Sequence, residues 1–316
     1  MRAILSFALI LISGQATALT PDAIETAAYD GGALPEGQSG LTVKLQVLLD
    51  RAGVSPGIID GYKGGMSESA LRGFEAREGL HVDGILDAEV WTALGGNGVY
   101  SVLMSYEITE DDVSGLVTSI PDNVRDKAEM DHLGYVRVSE RLAERFHMDE
   151  DFLTTLNTGA TFTVGETITV ADPGERMEAD VARIEIRKSS NRAVTFDANG
   201  NMVSNYPVAI GSEDTPSPEG VVEVVAVAMD PTYTYRPDVN FVADGVDEAL
   251  ILPPGPNGPV GSVWIDLSKP TYGLHGTDTP AALFQNESHG CVRFTNWDVE
   301  ELAYMVKEGV TVEFVE

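Results

Sequence analysis

Within its 316 residues the sequence has a single cysteine, five histidines, and 20 Lys and Arg against 50 Asp and Glu. One cysteine excludes a disulfide within the chain. The shortage of basic residues leaves a formal net charge of -30 at pH 7, spread along the sequence rather than gathered in a tail. Such a surface argues against nucleic acid and against anionic membranes as partners, and favours solubility. After residue 18 no apolar run approaches the roughly 20 residues that a membrane-spanning helix needs. What is present is enough apolar material, 43 %, for packed cores. The length calls for two or three domains.

Residues 1–18 have the pattern of an export signal: Arg2, an apolar run over 3–12, and Ala16-Thr17-Ala18 as a cleavage site. The expected location is the periplasm. A thiol without a partner in an oxidising compartment is either buried or used. Residues 19–40 are expected to be a linker.

Residues 41–97 show helical periodicity. Leu41, Leu45, Leu48, Leu49 and Ala52 share a face. Ser67 is expected to cap a second helix carrying Leu71 and Phe74 and ending at Gly79, and Asp87 a third carrying Val90, Trp91 and Leu94. Two turns, Asp60-Gly61 and Asp83-Gly84, each follow an apolar residue and predict a module of two related halves. Leu45-Gln46, Gly53, Gly57, Asp60-Gly61, Ala70-Leu71, Phe74, Gly79-Leu80, Asp83-Gly84 and Val90-Trp91 resemble the peptidoglycan-binding domain family. That resemblance implies a small all-α three-helix module.

Residues 100–172 predict a small α+β unit. The stretch 109–131 is acidic, poorly patterned and interrupted by Pro121, so a loop or insertion is expected. Ser139 is expected to cap a helix holding Leu142, Ala143 and Phe146; a second helix follows over 150–156, and 167–170 alternate as a strand. Ser139, Leu142-Ala143, Phe146, Leu153, Leu156-Asn157 and residues 165–170, with Tyr106-Glu107-Ile108 as first strand, resemble a LysM module. The resemblance implies binding to the N-acetylglucosamine backbone of glycans. The long gap after the first strand departs from that family's pattern.

Residues 181–316 predict a β-rich domain with one late helix. Strands are expected over 181–186, 194–196, 203–210, 220–229, 263–267 and 310–315, with a turn at Asn199-Gly200-Asn201. Thr295 and Asp298 form a capping-box pattern before Val299, Leu302, Ala303 and Val306.

This last segment holds Cys291, in Ser288-His289-Gly290-Cys291-Val292-Arg293, with His275 sixteen residues upstream. A lone cysteine with histidines nearby suits a thiolate nucleophile and its base. His275 then needs an acceptor at Nδ1; the Gly276 carbonyl and the Asp278 side chain are both open. Gly290 permits close approach of backbone N–H groups, and those of Gly290 and Cys291 are candidate oxyanion donors. His289 is read as a substrate contact or as a loop tie. Arg293 has two candidate partners, a substrate carboxylate or a protein acid such as Asp298. A zinc site through Cys291, His289 and His275 lacks an evident fourth ligand.

With Pro254-Gly255-Pro256-Asn257, Ile265-Asp266-Leu267, Tyr272-Gly273-Leu274-His275-Gly276-Thr277, and Asn296 with Asp298, this constellation resembles the L,D-transpeptidase (YkuD) family. The resemblance implies a cysteine acyltransferase that needs no metal or organic cofactor. Cys291 would attack the bond between diaminopimelate and D-Ala in a peptidoglycan tetrapeptide stem and pass the acyl group to an amine. That amine belongs to another stem, an outer-membrane protein or a free D-amino acid; water in its place makes a carboxypeptidase. Cys291 and His275 are the implied catalytic pair, Gly276, Gly290, His289, Ser288 and Arg293 support them, and Tyr272, Gly273 and Arg293 contact substrate. Carbapenems are implied inhibitors. A decayed, non-catalytic wall-binding protein is the competing reading, opposed by the intact His275, Gly290, Cys291 and Arg293.

Overall fold

The computed structural model describes residues 19–98, 101–212, 215–237, 246–285, 288 and 290–316; the export-signal residues and His289 lie outside them. The N-terminal part is helical: α1 (Pro21–Glu25), α2 (Gly40–Arg51), α3 (Gly65–Glu78) and α4 (Ala88–Ala93). Asp87 caps α4 by accepting from the amides of Glu89 and Val90, and Gly79 ends α3 at φ +70°. The internal echo has a physical basis. Gln46 on α2 accepts through Oε1 from the amides of Asp60 and Gly61, and Glu75 on α3 accepts through Oε2 from those of Asp83 and Gly84. Each helix thus supplies one buried side chain to hold one Asp-Gly turn, where only glycine takes the positive φ cheaply. Ser67 is not a cap. It lies inside α3, buried, and accepts from Gln46 Nε2 at 3.2 Å.

Residues 19–40, read as a linker, are docked. Ile24 on α1 is fully buried, Lys44 Nζ donates to the carbonyls of Glu25 and Ala27, and the Glu25 carboxylate accepts from the amides of Val102 and Leu103.

The middle part runs β1 (Leu103–Glu107), α5 (Glu110–Val113), α6 (Val124–Ala128), α7 (Val138–Arg145), α8 (Glu150–Leu156) and β2 (Thr167–Ala171), with β1 and β2 antiparallel. Ser139 sits one residue inside α7 and donates to Glu150 Oε1 rather than capping. The acidic stretch carries α5 and α6 and does not hang free. Val124 and Leu133 join Tyr235, Val246 and Leu252 in a small core. Apolar residues from Ile24 to Ala171 form one continuous core, so the helical and middle parts make a single body.

The C-terminal part is an eight-stranded sheet with order β11-β10-β9-β6-β12-β3-β4-β5. These strands are β3 (Arg183–Arg187), β4 (Arg192–Phe196), β5 (Met202–Pro207), β6 (Gly220–Met229), β9 (Val263–Leu267), β10 (Gly273–His275), β11 (Val292–Arg293) and β12 (Thr311–Val315). A separate hairpin pairs β7 (Tyr233–Tyr235) with β8 (Leu250–Leu252). The late helix α9 (Asn296–Met305) starts at Thr295, whose Oγ1 accepts from the Asp298 amide, and buries Val299 and Leu302. The two bodies meet through polar groups. Arg192, almost fully buried, donates to Asn205 Oδ1, the Asn205 carbonyl and the Ser55 carbonyl, and Ser55 Oγ donates to Asp298 Oδ2 at 3.0 Å. Among the described residues no helix is long and apolar enough to cross a membrane.

Candidate active site

Strands β10 and β11 run parallel, with Leu274 opposite Val292 and His275 opposite Arg293. That register sets Cys291, the residue before β11, alongside Gly273. The turn carrying Cys291 is tied from several sides. Ser288 Oγ donates to the Cys291 carbonyl and accepts from the Gly290 amide. Ser217 Oγ donates to the Gly290 carbonyl at 2.8 Å, and Thr215 Oγ1 to the Ser288 carbonyl at 3.2 Å. Gly290 sits at φ +110°, and a Cβ there would stand 2.9 Å from Tyr272 Cε1, so the turn excludes a side chain on both counts. Of the two candidate oxyanion donors, the Gly290 amide is already engaged by Ser288.

The Cys291 thiol points to the Thr271 carbonyl at 3.6 Å. Burial pushes its pKa up; a hydrogen bond from the Gly273 backbone and the charge of Arg293 act in the opposite direction. Burial also pushes His275 down to about 4, against the hydrogen bond to Gly276 and with help from Arg293. Both groups are therefore neutral near pH 7. Of the two acceptors left open for His275, the Gly276 carbonyl lies 2.7 Å from Nδ1. A carbonyl only accepts, so Nδ1 carries the proton and Nε2 presents a lone pair. Asp278 instead acts electrostatically on Arg293. The Asp298 carboxylate accepts from Ser55 Oγ at 3.0 Å.

Tyr272 donates weakly to the Pro216 carbonyl and is half-buried under Lys269. Gly273 is flat against Trp264, whose ring would meet any Cβ. Trp264 also stacks on His275 at 5.6 Å and 20°. The sequence reading missed that ring. Its only signal was its place beside Ile265-Asp266-Leu267, and contact with His275 depends on the β9–β10 register of Trp264 opposite His275. Tyr233 on β7 was missed too; burial, and then its proximity to Cys291, push its pKa up to about 12.

Behind His275, Gly276 is wedged between Gly261 and Asn296, and either glycine with a Cβ would collide with Asn296 Oδ1. Asn296 Oδ1 accepts from the Ser262 amide, while Nδ2 donates to Glu144 Oε2 and the Pro256 carbonyl. A cleft of about 530 Å³ lies on the seam between the two bodies, lined by Asp50, Glu144, His147, Asn296 and Trp297 among others and not by Cys291. Its walls carry internal ion pairs such as His147 with Asp50 at 2.7 Å. Among the described residues no cluster of His, Cys, Asp or Glu could hold a metal ion.

Residues 181–314 match the family model described as the L,D-transpeptidase catalytic domain, YkuD. A Bacillus licheniformis protein, "Putative L,D-transpeptidase YkuD", is 32% identical over 155 residues, which are 49% of this chain and 77% of that protein. The chain belongs to the YkuD-type L,D-transpeptidase family. The class of enzyme is an acyltransferase. The "Probable L,D-transpeptidase YbiS" of Escherichia coli (strain K12) is 28% identical over 137 residues, 42% of this chain but only 44% of its own length. A solved L,D-transpeptidase from Xylanimonas cellulosilytica aligns with 91% of this chain and 100% of its own at 12% identity and a TM-score of 0.42, too distant to define the architecture here. Beside the transpeptidase domain, residues 38–94 match the model described as "Putative peptidoglycan binding domain". The polymer partner and the reaction class therefore belong to one chain.

Proposed function

We propose that this chain is an exported, periplasmic L,D-transpeptidase in which Cys291 is the nucleophile and His275 the general base. The observation that carries the reading is the parallel β10–β11 register, with a half-buried thiol just before one strand and, on the other, a neutral imidazole held by the Gly276 carbonyl.

The donor is a tetrapeptide stem, cut after diaminopimelate. Cys291 Sγ attacks the amide carbon as His275 Nε2 takes the thiol proton. The oxyanion accepts a hydrogen bond from the Cys291 amide, an interaction worth about 3 kcal/mol in comparable sites. Collapse breaks the C–N bond; His275 returns the proton to the departing D-Ala amine and a thioester remains. An acceptor amine then attacks the thioester, His275 takes its proton, and the thiol is restored. Arg293, facing the same space, suits a substrate carboxylate, and Tyr272 and Gly273 form the adjoining wall. No step requires a metal or organic cofactor.

The peptidoglycan-binding unit holds the enzyme on its polymer and raises the local stem concentration. The antiparallel β1–β2 pair with α7 and α8 supports a LysM-like role for the middle part, with glycan as ligand. Acceptors open to the chemistry are a second stem, an outer-membrane protein amine or a free D-amino acid. Carbapenems are expected to acylate Cys291.

The test is incubation with purified disaccharide tetrapeptide. Cross-linked dimer with released D-Ala is expected, and none with Cys291→Ala. Tripeptide alone would make the enzyme an L,D-carboxypeptidase. No product, together with no carbapenem adduct on the native chain, would sink the reading.

A further inference from the structure

We infer that Glu144, a residue of the accessory body on α7, is a positioning residue for His275, acting through Asn296. This rests on the acyl-transfer reading of His275 and extends it across the seam between the two bodies.

Asn296 has an amide whose two ends are spoken for by groups of opposite kind. Its Nδ2 faces two acceptors, Glu144 Oε2 at 2.9 Å and the Pro256 carbonyl at 3.3 Å. Its Oδ1 faces a donor, the Ser262 amide at 3.2 Å. Turning the amide over would set donor against donor at Ser262 and acceptor against acceptor at Glu144. Glu144 supplies the shorter of the two contacts that fix the orientation. It is itself held by Tyr135, whose hydroxyl donates to the same Oε2 at 3.0 Å. Asn296 is 2 % exposed and Glu144 8 %, and both border the seam cleft.

The consequence reaches the base directly. Asn296 Oδ1 is packed so closely on Gly261 and Gly276 that neither tolerates a Cβ. Gly276 provides the carbonyl that holds the His275 Nδ1 proton. Loss of Glu144 frees the Asn296 amide to rotate or shift, and the Gly276 carbonyl moves with it. The same helix repeats the device one turn earlier. Glu140 Oε1 accepts from Asn257 Nδ2 at 2.8 Å, and Leu133 exchanges backbone hydrogen bonds with Pro254 and Asn257. The accessory body thus buttresses the loop and the helix start that enclose the His275 turn. Tethering to the wall is then only part of its work, because the catalytic part by itself offers Asn296 Nδ2 only the longer contact to the Pro256 carbonyl.

The experiment uses the full chain with Glu144→Ala, Glu144→Leu, which keeps the buried volume, and Glu144→Gln, which keeps an acceptor for Asn296. Two readouts are taken: kcat and KM for disaccharide tetrapeptide, and the His275 ring tautomer by ¹⁵N NMR, assigned with His275→Asn. The Ala and Leu variants are expected to lose roughly 10- to 100-fold in kcat with KM within about 3-fold, as a displacement of about 1 Å does at a reacting centre. Their His275 should show a mixture of Nδ1–H and Nε2–H forms. The Gln variant should return to within about 3-fold of native with the Nδ1–H form alone. A folded Ala or Leu variant with an unmixed tautomer overturns the proposal, as does a Gln variant as impaired as Ala. The tautomer readout needs no turnover. A native chain inactive on the stem would therefore refute the proposed reaction and still leave the role of Glu144 decided.

Discussion

Raising the pH from about 6 to about 8 is expected to speed alkylation of Cys291 by iodoacetamide about 100-fold. The reacting species is the thiolate, whose share falls tenfold for each pH unit below the thiol pKa. Burial holds that pKa above its ordinary value, and the Gly273 and Arg293 contributions do not reverse the shift. A buried imidazole with a pKa of about 4 is uncharged throughout this range and cannot stabilise a thiolate as an imidazolium would. At pH 7 the thiolate is therefore no more than a few per cent of the population, and log rate should climb with a slope near 1. A preformed thiolate–imidazolium pair behaves oppositely: its thiolate share is near unity from acid pH upward and the rate is flat. Cys291 is the only cysteine, so total alkylation followed by intact-mass spectrometry reports this site alone. His275→Ala should leave the slope unchanged while abolishing acyl transfer, since it removes a base but no charge. A native rate that changes by less than about 3-fold across the interval would refute the neutral resting pair and the concerted proton transfer built on it.

Three further outcomes follow from buried contacts. Gly276→Ala drives a Cβ into Asn296 Oδ1, and overpacking of this kind costs about 1–3 kcal/mol, to be read as a lower urea midpoint; an unmoved midpoint would mean that the wedge is slack. Arg192→Met strips donors from the Asn205 side chain and from the Asn205 and Ser55 carbonyls and should cost about 3 kcal/mol, whereas a loss below about 1 kcal/mol in denaturant unfolding would deny that this contact holds the bodies together. The buried titratable groups pull stability in opposite directions between about pH 4 and 7. His275 is depressed from 6.5 to about 4, so its contribution is complete above pH 6.5 and is lost as pH falls toward 4, by up to about 3 kcal/mol. Burial raises Glu144 from 4.5 to about 8 and Asp298 from 3.8 to about 7, so their contribution is complete below those ordinary values and is lost progressively as pH rises to the raised ones. Glu144→Gln removes one of these losses and should unfold at higher urea than the native chain near pH 8; an unchanged or lower midpoint would argue that Glu144 ionises without penalty.

Much of this protein was legible in its sequence because the relevant signals are local. The spacing of Leu45, Leu49, Phe74 and Trp91, the Asp-Gly turns and the Asp87 and Thr295 caps depend on neighbours a few residues away, and they stand in the structure as the pattern implied. The Ser288-to-Arg293 motif likewise carries its own geometry, since Ser288 and Gly290 close the turn within four residues. Ser67 and Ser139 look like caps in sequence, but each hydroxyl is used by a distant partner, and the helices begin elsewhere. The stretch 109–131 reads as a loop because its apolar residues are too sparse for periodicity, yet Val124 is buried once Tyr235 and Leu252 arrive from far along the chain. What only the tertiary structure decided is which residues meet over long separations. Trp264 lies on His275 through strand register, Ser55 reaches Asp298 across 243 positions, and Glu144 reaches Asn296 across 152. No local pattern encodes such pairs, because they depend on how two finished bodies pack. Cys291, His275 and the Gly276 carbonyl were visible as candidates in the sequence; the Asn296–Glu144 contact behind them was not.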